Sequence, residues 1–286
     1  MAPYNNIDEI IEAINFIKAV DLKKFPDDEL EVLLSRLIND TYIFGPKKLL
    51  LTNYRLVRVE DSLVSNLERI LAPSPPHSKY GRCNLKDAKI YYAAKNLETA
   101  LLECKATKGD QFHVVELSAF ESSEYVMSLF IGQYDEYRRT RFATYPVFEI
   151  NKTYQKEITN LIEKIGDEKF LQFAYIDAFI AEEFRKKILD DNDYKITATI
   201  SKLFFEAGIV DQIIYPSVTY RNSLNLAIKP SLIGEKYKIN RIFSIKVRDY
   251  LDYGMFAYEE YAFGRIGGEG DIIWNEIPNR KINLTF

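Results

Sequence analysis

What most restricts this chain is its order of periodicities: short apolar strand runs separated by helices of unequal length, without regular strand–helix–strand alternation. A doubly wound parallel sheet needs that alternation, so the pattern predicts an α+β fold. Ile7 to Val20 reads as an amphipathic helix carried by Ile7, Ile10, Ile11, Ile14 and Ile17, with Asp8 and Glu9 suited to its first turn. Phe25-Pro26 breaks the pattern, and Asp27 or Asp28 caps a second helix through Ile38. Strands follow over residues 50–59, 89–94 and 111–117, and helices over 151–164, 170–189 and 197–207. Further strand runs fall at 213–215, 224–228 and 239–247. Gly208 suits a left-handed helix end, and Ala72-Pro73-Ser74-Pro75-Pro76 rules out regular structure. Residues 250–286 are aromatic and Gly-rich without a period, and no element is assigned to them.

Charge and cysteine usage exclude several classes. The net charge is −4, which argues against nucleic acid as the main partner, because phosphate binding depends on clustered Lys and Arg. Arg138-Arg139-Thr140-Arg141 is the local exception. The 2 cysteines, Cys83 and Cys104, read as small buried hydrophobes, and a disulfide-stapled secreted protein would carry more. The 2 histidines, His77 and His113, stand at no ligand spacing from a cysteine, so no metal site is expected. There is no basic N-terminal region followed by an apolar run, and no long apolar stretch. These features predict a cytoplasmic protein that does not enter the membrane.

Polar residues concentrate in two distant stretches. The first holds Gly81-Arg82-Cys83-Asn84, Ile90-Tyr91-Tyr92-Ala93 and Glu98-Thr99-Ala100-Leu101-Leu102-Glu103. The second runs from Gly208 to Val218, with Asn225 beyond it. Asn96 is an N-cap for a helix from Leu97 to about Lys105. Within it Glu103 stands among apolar helix formers, where a carboxylate is costly unless something uses it. Thr99 and Ala100 share its face and are small enough to leave room beside it. The guanidinium fork of Arg82 suits a pyrophosphate or carboxylate. Ser217 lacks a Gly-x-Ser-x-Gly elbow and a histidine in triad context, so it does not read as a hydrolase nucleophile. Taken singly, each residue also fits a plain structural role: a helix-edge glutamate, a turn, a core-edge tyrosine.

Together, the two stretches resemble the RES domain, a family of bacterial NAD-consuming toxins named for an Arg, a Glu and a Ser. The resemblance rests on Gly81-Arg82-Cys83-Asn84, on Tyr92 followed by Ala100-Leu101-Leu102-Glu103, and on Tyr215-Pro216-Ser217 followed by Asn225. It implies an ADP-ribosyltransferase-like split mixed β-sheet with flanking helices. Glu103, Arg58 and Ser217 would then be catalytic, and Arg82, Tyr92, Asn84 and Asn225 would bind NAD. Arg55 and Arg58 lie three apart in a strand and face opposite ways, so one of them reaches the site. Leu56-Val57-Arg58 fits the family pattern better, with Arg55 as the alternate. NAD would be a consumed substrate, with no other cofactor and no dinucleotide fingerprint required. Water, phosphate or a protein side chain remain open as acceptor.

The resemblance also implies a cognate antitoxin as partner. It divides the chain into a helical extension (1–45), a catalytic domain (46–230) and a C-terminal extension (231–286) packed on that domain. The extensions bear on partner choice, including self-association. Protein ADP-ribosylation and a non-catalytic interaction role are the alternatives to NAD breakdown.

Overall fold

A computed structural model describes residue 4 and residues 6–38, 47–48, 53–59, 63–71, 79–86, 88–120, 126–140, 148–220 and 223–285. The side chains at 47–48, 53, 56–59 and 148–154, the 72–76 loop and His77 lie outside the described residues. The chain divides into two compact units that do not follow the boundaries expected at 46 and 231. One unit is helical, drawn from 1–46, 78–86 and 130–208; the other carries the sheet, from 47–77, 87–129 and 209–286.

In the helical unit, α1 (Ile7–Ala19) is started by Asn6, whose side chain accepts from the Glu9 N–H at 2.9 Å. Ile10, Ile14 and Ile17 recur at helical spacing and are buried. The second helix, α2 (Asp27–Ile38), buries Leu30, Leu34, Leu37 and Ile38. These two helices pack on α7 (Asp167–Arg185) and α8 (Lys195–Glu206), respectively. Lys195, buried at the start of α8, pairs with Asp27 at 2.7 Å and donates to the Phe25 carbonyl at 2.9 Å. The N-terminal helices are therefore part of a larger helical body.

Two more helices complete this unit, α5 (Gln133–Thr140) and α6 (Phe148–Ile165). Arg138 and Arg139 of the basic run each bond Asp135 at 2.7 Å, and Arg185 joins them at 2.5 Å. Asp135 is fully buried, and these guanidiniums hold its carboxyl below the usual range against the opposing effect of burial. Arg138 and Arg139 are thus engaged internally, and Arg141 lies outside the described residues. The α7 helix ends at Arg185 rather than at 189, and Gly208 takes the expected left-handed conformation at φ +76°.

The sheet unit holds strands β1 (Lys47–Lys48), β2 (Asn53–Val59), β3 (Tyr91–Ala94), β4 (Gln111–Ala119), β5 (Met127–Phe130), β6 (Gln212–Pro216) and β7 (Leu224–Ile228). The strand expected at 239–247 is extended to β8 (Tyr237–Tyr250), and residues left unassigned from sequence form β9 (Phe256–Ile266), β10 (Ile272–Glu276) and β11 (Ile282–Leu284). Their order is β1-β5-β6-β7-β3-β2-β4-β8-β9-β10, with β11 also paired to β9. Register shifts interrupt the pairing of β8 with β4 and β9, and the strand runs past the expected 239–247 at both ends. What reads as a C-terminal extension is a continuation of the central sheet. Two short helices complete the unit, α3 (Leu67–Leu71) and α4 (Leu97–Glu103). Leu101 of α4 packs into a core of Phe112, Val114, Phe243, Ile245, Val247 and Phe256. The helix is thereby fixed on one face of the sheet.

Candidate functional site

Helix α4 begins at Asn96, whose side chain accepts from the Thr99 N–H at 2.8 Å, and Cys104 is its C-cap. Lys105, at φ +50°, turns the chain off the helix, which makes Glu103 its last residue. Its position follows from two constraints: Leu101 is anchored in the core, and a helix places residues four apart on one face. Thr99 and Glu103 consequently point at the same neighbours, β7 and the segment following β6.

Glu103 Oε1 accepts from Ser217 Oγ at 2.6 Å and from Asn225 Nδ2 at 2.7 Å. Both bonds fall on one oxygen, so the carboxylate is oriented, and no hydrogen bond from the described residues falls on Oε2. Glu103 is exposed, contrary to the burial expected from its apolar neighbours; the buried carboxylate of α4 is Glu98. Thr99 is fully buried and its hydroxyl bonds that of Ser223, so Thr99 itself packs against protein.

Ser217 Oγ accepts the backbone N–H groups of Thr219 at 3.2 Å and Tyr220 at 2.9 Å, and the Thr219 hydroxyl lies 3.0 Å away. With its acceptor positions engaged, its single proton is directed to Glu103. Ser217 orients the carboxylate and is not poised as a nucleophile. Asn225 is buried and pairs in register with both Ala94 and Tyr215. Strand alternation puts Tyr92 on the same face as Ala94, and therefore on the Asn225 and α4 side.

The remaining sequence-predicted residues are placed differently. Arg55 has the opposite parity to Tyr54, which packs against the α4 core. It donates to the carbonyls of Ile70 and Tyr92, each at 3.3 Å, and lies 4.7 Å from the Tyr91 ring centre. Burial lowers its pKa. The alternate arginine thus supports the sheet from the other face and is not brought to Glu103. Arg58 pairs with Phe112 in register and has the parity of Tyr54, while its side chain lies outside the described residues.

Arg82 and Asn84 belong to the helical unit. Arg82 donates to the carbonyls of Phe184 at 2.7 Å and Lys186 at 3.1 Å and lies over Tyr194, so it closes the end of α7. Asn84 forms a turn with Gly81 and donates to the Leu85 carbonyl at 3.0 Å.

Sequence reasoning missed Glu98, Thr219, Tyr220 and Ser223. Thr219, Tyr220 and Ser223 follow Ser217 closely, so proximity was the one available signal. Cys83 is buried, which pushes its thiol up to about 12, and its location agrees with a core role. Among the described residues, no group of three His, Cys, Asp or Glu side chains could hold a metal ion, and no helix is long and apolar enough to cross a membrane.

A family model described as RES domain matches residues 54–236. That span contains Glu103, Ser217 and Asn225. One solved structure is also similar, a crystal structure of the M. tuberculosis MbcT-MbcA toxin-antitoxin complex. It is 12% identical, with 76% of this chain and 92% of that chain covered and a TM-score of 0.38. No curated protein matches.

Proposed function

The chain belongs to the RES domain family, and from that premise we propose that it cleaves the nicotinamide–ribose bond of NAD, with Glu103 as the catalytic residue. The observation that carries this reading is the convergence of Ser217 and Asn225 on Glu103 Oε1, which leaves Oε2 for a substrate. In the reaction the ribose C1′–nitrogen bond breaks with its electron pair leaving on nicotinamide. An oxocarbenium-like ribose develops. An acceptor oxygen then bonds C1′ and sheds its proton. Oε2 would take a ribose hydroxyl and oppose the developing positive charge, and prior orientation avoids reorganisation at that moment.

Tyr92, on the same face, suits stacking on the nicotinamide or a ribose, and Arg58 suits the pyrophosphate. NAD is a consumed substrate in this reading, and no other cofactor enters. An enzyme that drains NAD from the cytoplasm of its own cell requires restraint, and a cognate antitoxin is the partner we propose.

The test is nicotinamide release from NAD by the purified chain, with and without phosphate. Glu103→Gln keeps the volume and removes the charge, and should lower the rate roughly a hundredfold to a thousandfold. A mutant that turns over at the parental rate would overturn the assignment. Retention of labelled ADP-ribose on protein would move the reading to ADP-ribosylation. Induction of the parental chain in a bacterial host should stop growth and lower NAD within minutes, and Glu103→Gln should do neither.

A further inference from the structure

Ser217 aims its proton at Glu103 only while the segment that follows it stays in place, and three side chains of α4 hold that segment. Glu103 bonds Ser217 and Thr99 bonds Ser223, while the carboxylate of the buried Glu98 lies near the Tyr220 hydroxyl and raises its pKa. Tyr220 in turn gives its N–H to Ser217 Oγ at 2.9 Å, and its carbonyl accepts from the Ser223 N–H at 3.2 Å. The Tyr220 ring also meets the turn between β8 and β9. A Cβ added to Gly254 would stand 2.7 Å from Tyr220 Cε2 and 3.2 Å from Glu98 Oε1. That turn runs Asp252, Tyr253 and Gly254 at φ +64°, +54° and +88°. Two of them are residues for which this conformation is unfavourable, a feature that persists only where surrounding structure holds it. The Gly254 N–H donates to the Tyr250 hydroxyl at 3.3 Å, and Met255 bonds Leu251 and Asp252 through the backbone.

We propose that Tyr220, held between Glu98 and the Gly254 turn, is a positioning residue that fixes Ser217 and through it the Glu103 carboxylate. The turn lies beyond residue 236, where the family match ends, so chain outside that match completes the site. This rests on the NAD-cleavage reading for its rate effect and on geometry alone for the loop.

Amide hydrogen exchange over residues 217–220 and NAD kinetics, both on the full chain, test it. Tyr220→Phe removes the hydroxyl and Gly254→Ala presses on the ring. Each should speed exchange of the Tyr220 amide and lower kcat roughly tenfold to a hundredfold, because small misplacements of reacting groups are costly. The KM for NAD should stay within about twofold, since the ring is not assigned a substrate contact. A merely structural role would lower the melting temperature without this kcat-selective loss. Gly254→Ala is strained by its φ whatever the space, so it is repeated in Tyr220→Ala, where its added effect should largely vanish. Unchanged exchange in Tyr220→Phe, or full additivity in the double variant, would overturn the proposal. If exchange responds as expected but the parental chain consumes no NAD, the clamp stands and the NAD reading fails.

Discussion

His113 should make the sheet unit lose stability as pH falls from 6.5 to 4, a window set by its surroundings. The ring is fully buried, with Nε2 accepting the Val64 N–H at 3.0 Å and Nδ1 lying 2.6 Å from Ser244 Oγ. An Nε2 that accepts carries no proton, so the hydrogen sits on Nδ1 and is donated to Ser244. Trp274 stacks on the ring at 4.7 Å and donates to the Val64 carbonyl at 2.8 Å, which holds the Val64 backbone in place. Protonation of Nε2 would set two N–H groups against each other in a dry site, and burial lowers the pKa from 6.5 to about 4.

Between those values the unfolded chain binds a proton that the folded chain refuses, so stability rises with pH across the window. At about 1.4 kcal/mol per unit, a shift of roughly 2.5 units corresponds to about 3 kcal/mol, lost between pH 6.5 and 4 and constant below. Urea unfolding at a series of pH values measures it. His113→Phe keeps a stacking ring and removes the titration, so the difference between the parental and variant curves isolates this group from the carboxylates. That difference should change by about 3 kcal/mol across the window. A flat difference curve would refute the reasoning.

Two further expectations concern the same unit. The Tyr91 hydroxyl is buried without a hydrogen-bond partner among the described residues, and burial raises its pKa, so Tyr91→Phe should stabilise the protein by about 1 kcal/mol in the same urea assay; a loss of stability would show that the hydroxyl is used. Arg55→Ala should lower the melting temperature, because it removes bonds to the Ile70 and Tyr92 carbonyls beneath the site, whereas Arg58→Ala should raise the KM for NAD in a stable protein. The reverse pattern would mean that the register of β2 assigns the two arginines to the wrong faces.

Local rules were sufficient for much of this protein. Asn96 caps α4, Gly208 ends α8 in a left-handed conformation, and Ile10, Ile14 and Ile17 bury one face of α1, all through interactions within a few residues. Strand parity separated Arg55 from Arg58 and Tyr91 from Tyr92 before any coordinates, because alternation is a property of the strand itself. Glu103, Ser217 and Asn225 were legible as a group because their residue types and order resemble one family. Arg82 was a different matter. Its fork of donors fits a pyrophosphate and two helix-end carbonyls equally well, and only the position of α7 decides for the carbonyls of Phe184 and Lys186.

The last three strands went unread because residues 250–286 show no period of their own, and pairing with β8 and β9 supplies the order that their sequence lacks. Likewise, nothing near Glu98 announces that Tyr220 and Gly254 will meet it. Sequence by itself determined the Asn96 cap and the Gly208 stop, the strand parities, and Glu103, Ser217 and Asn225 as one group. Tertiary structure alone decided which donors reach which acceptors across more than a hundred residues, since a side chain's partner depends on where the sheet brings distant strands together.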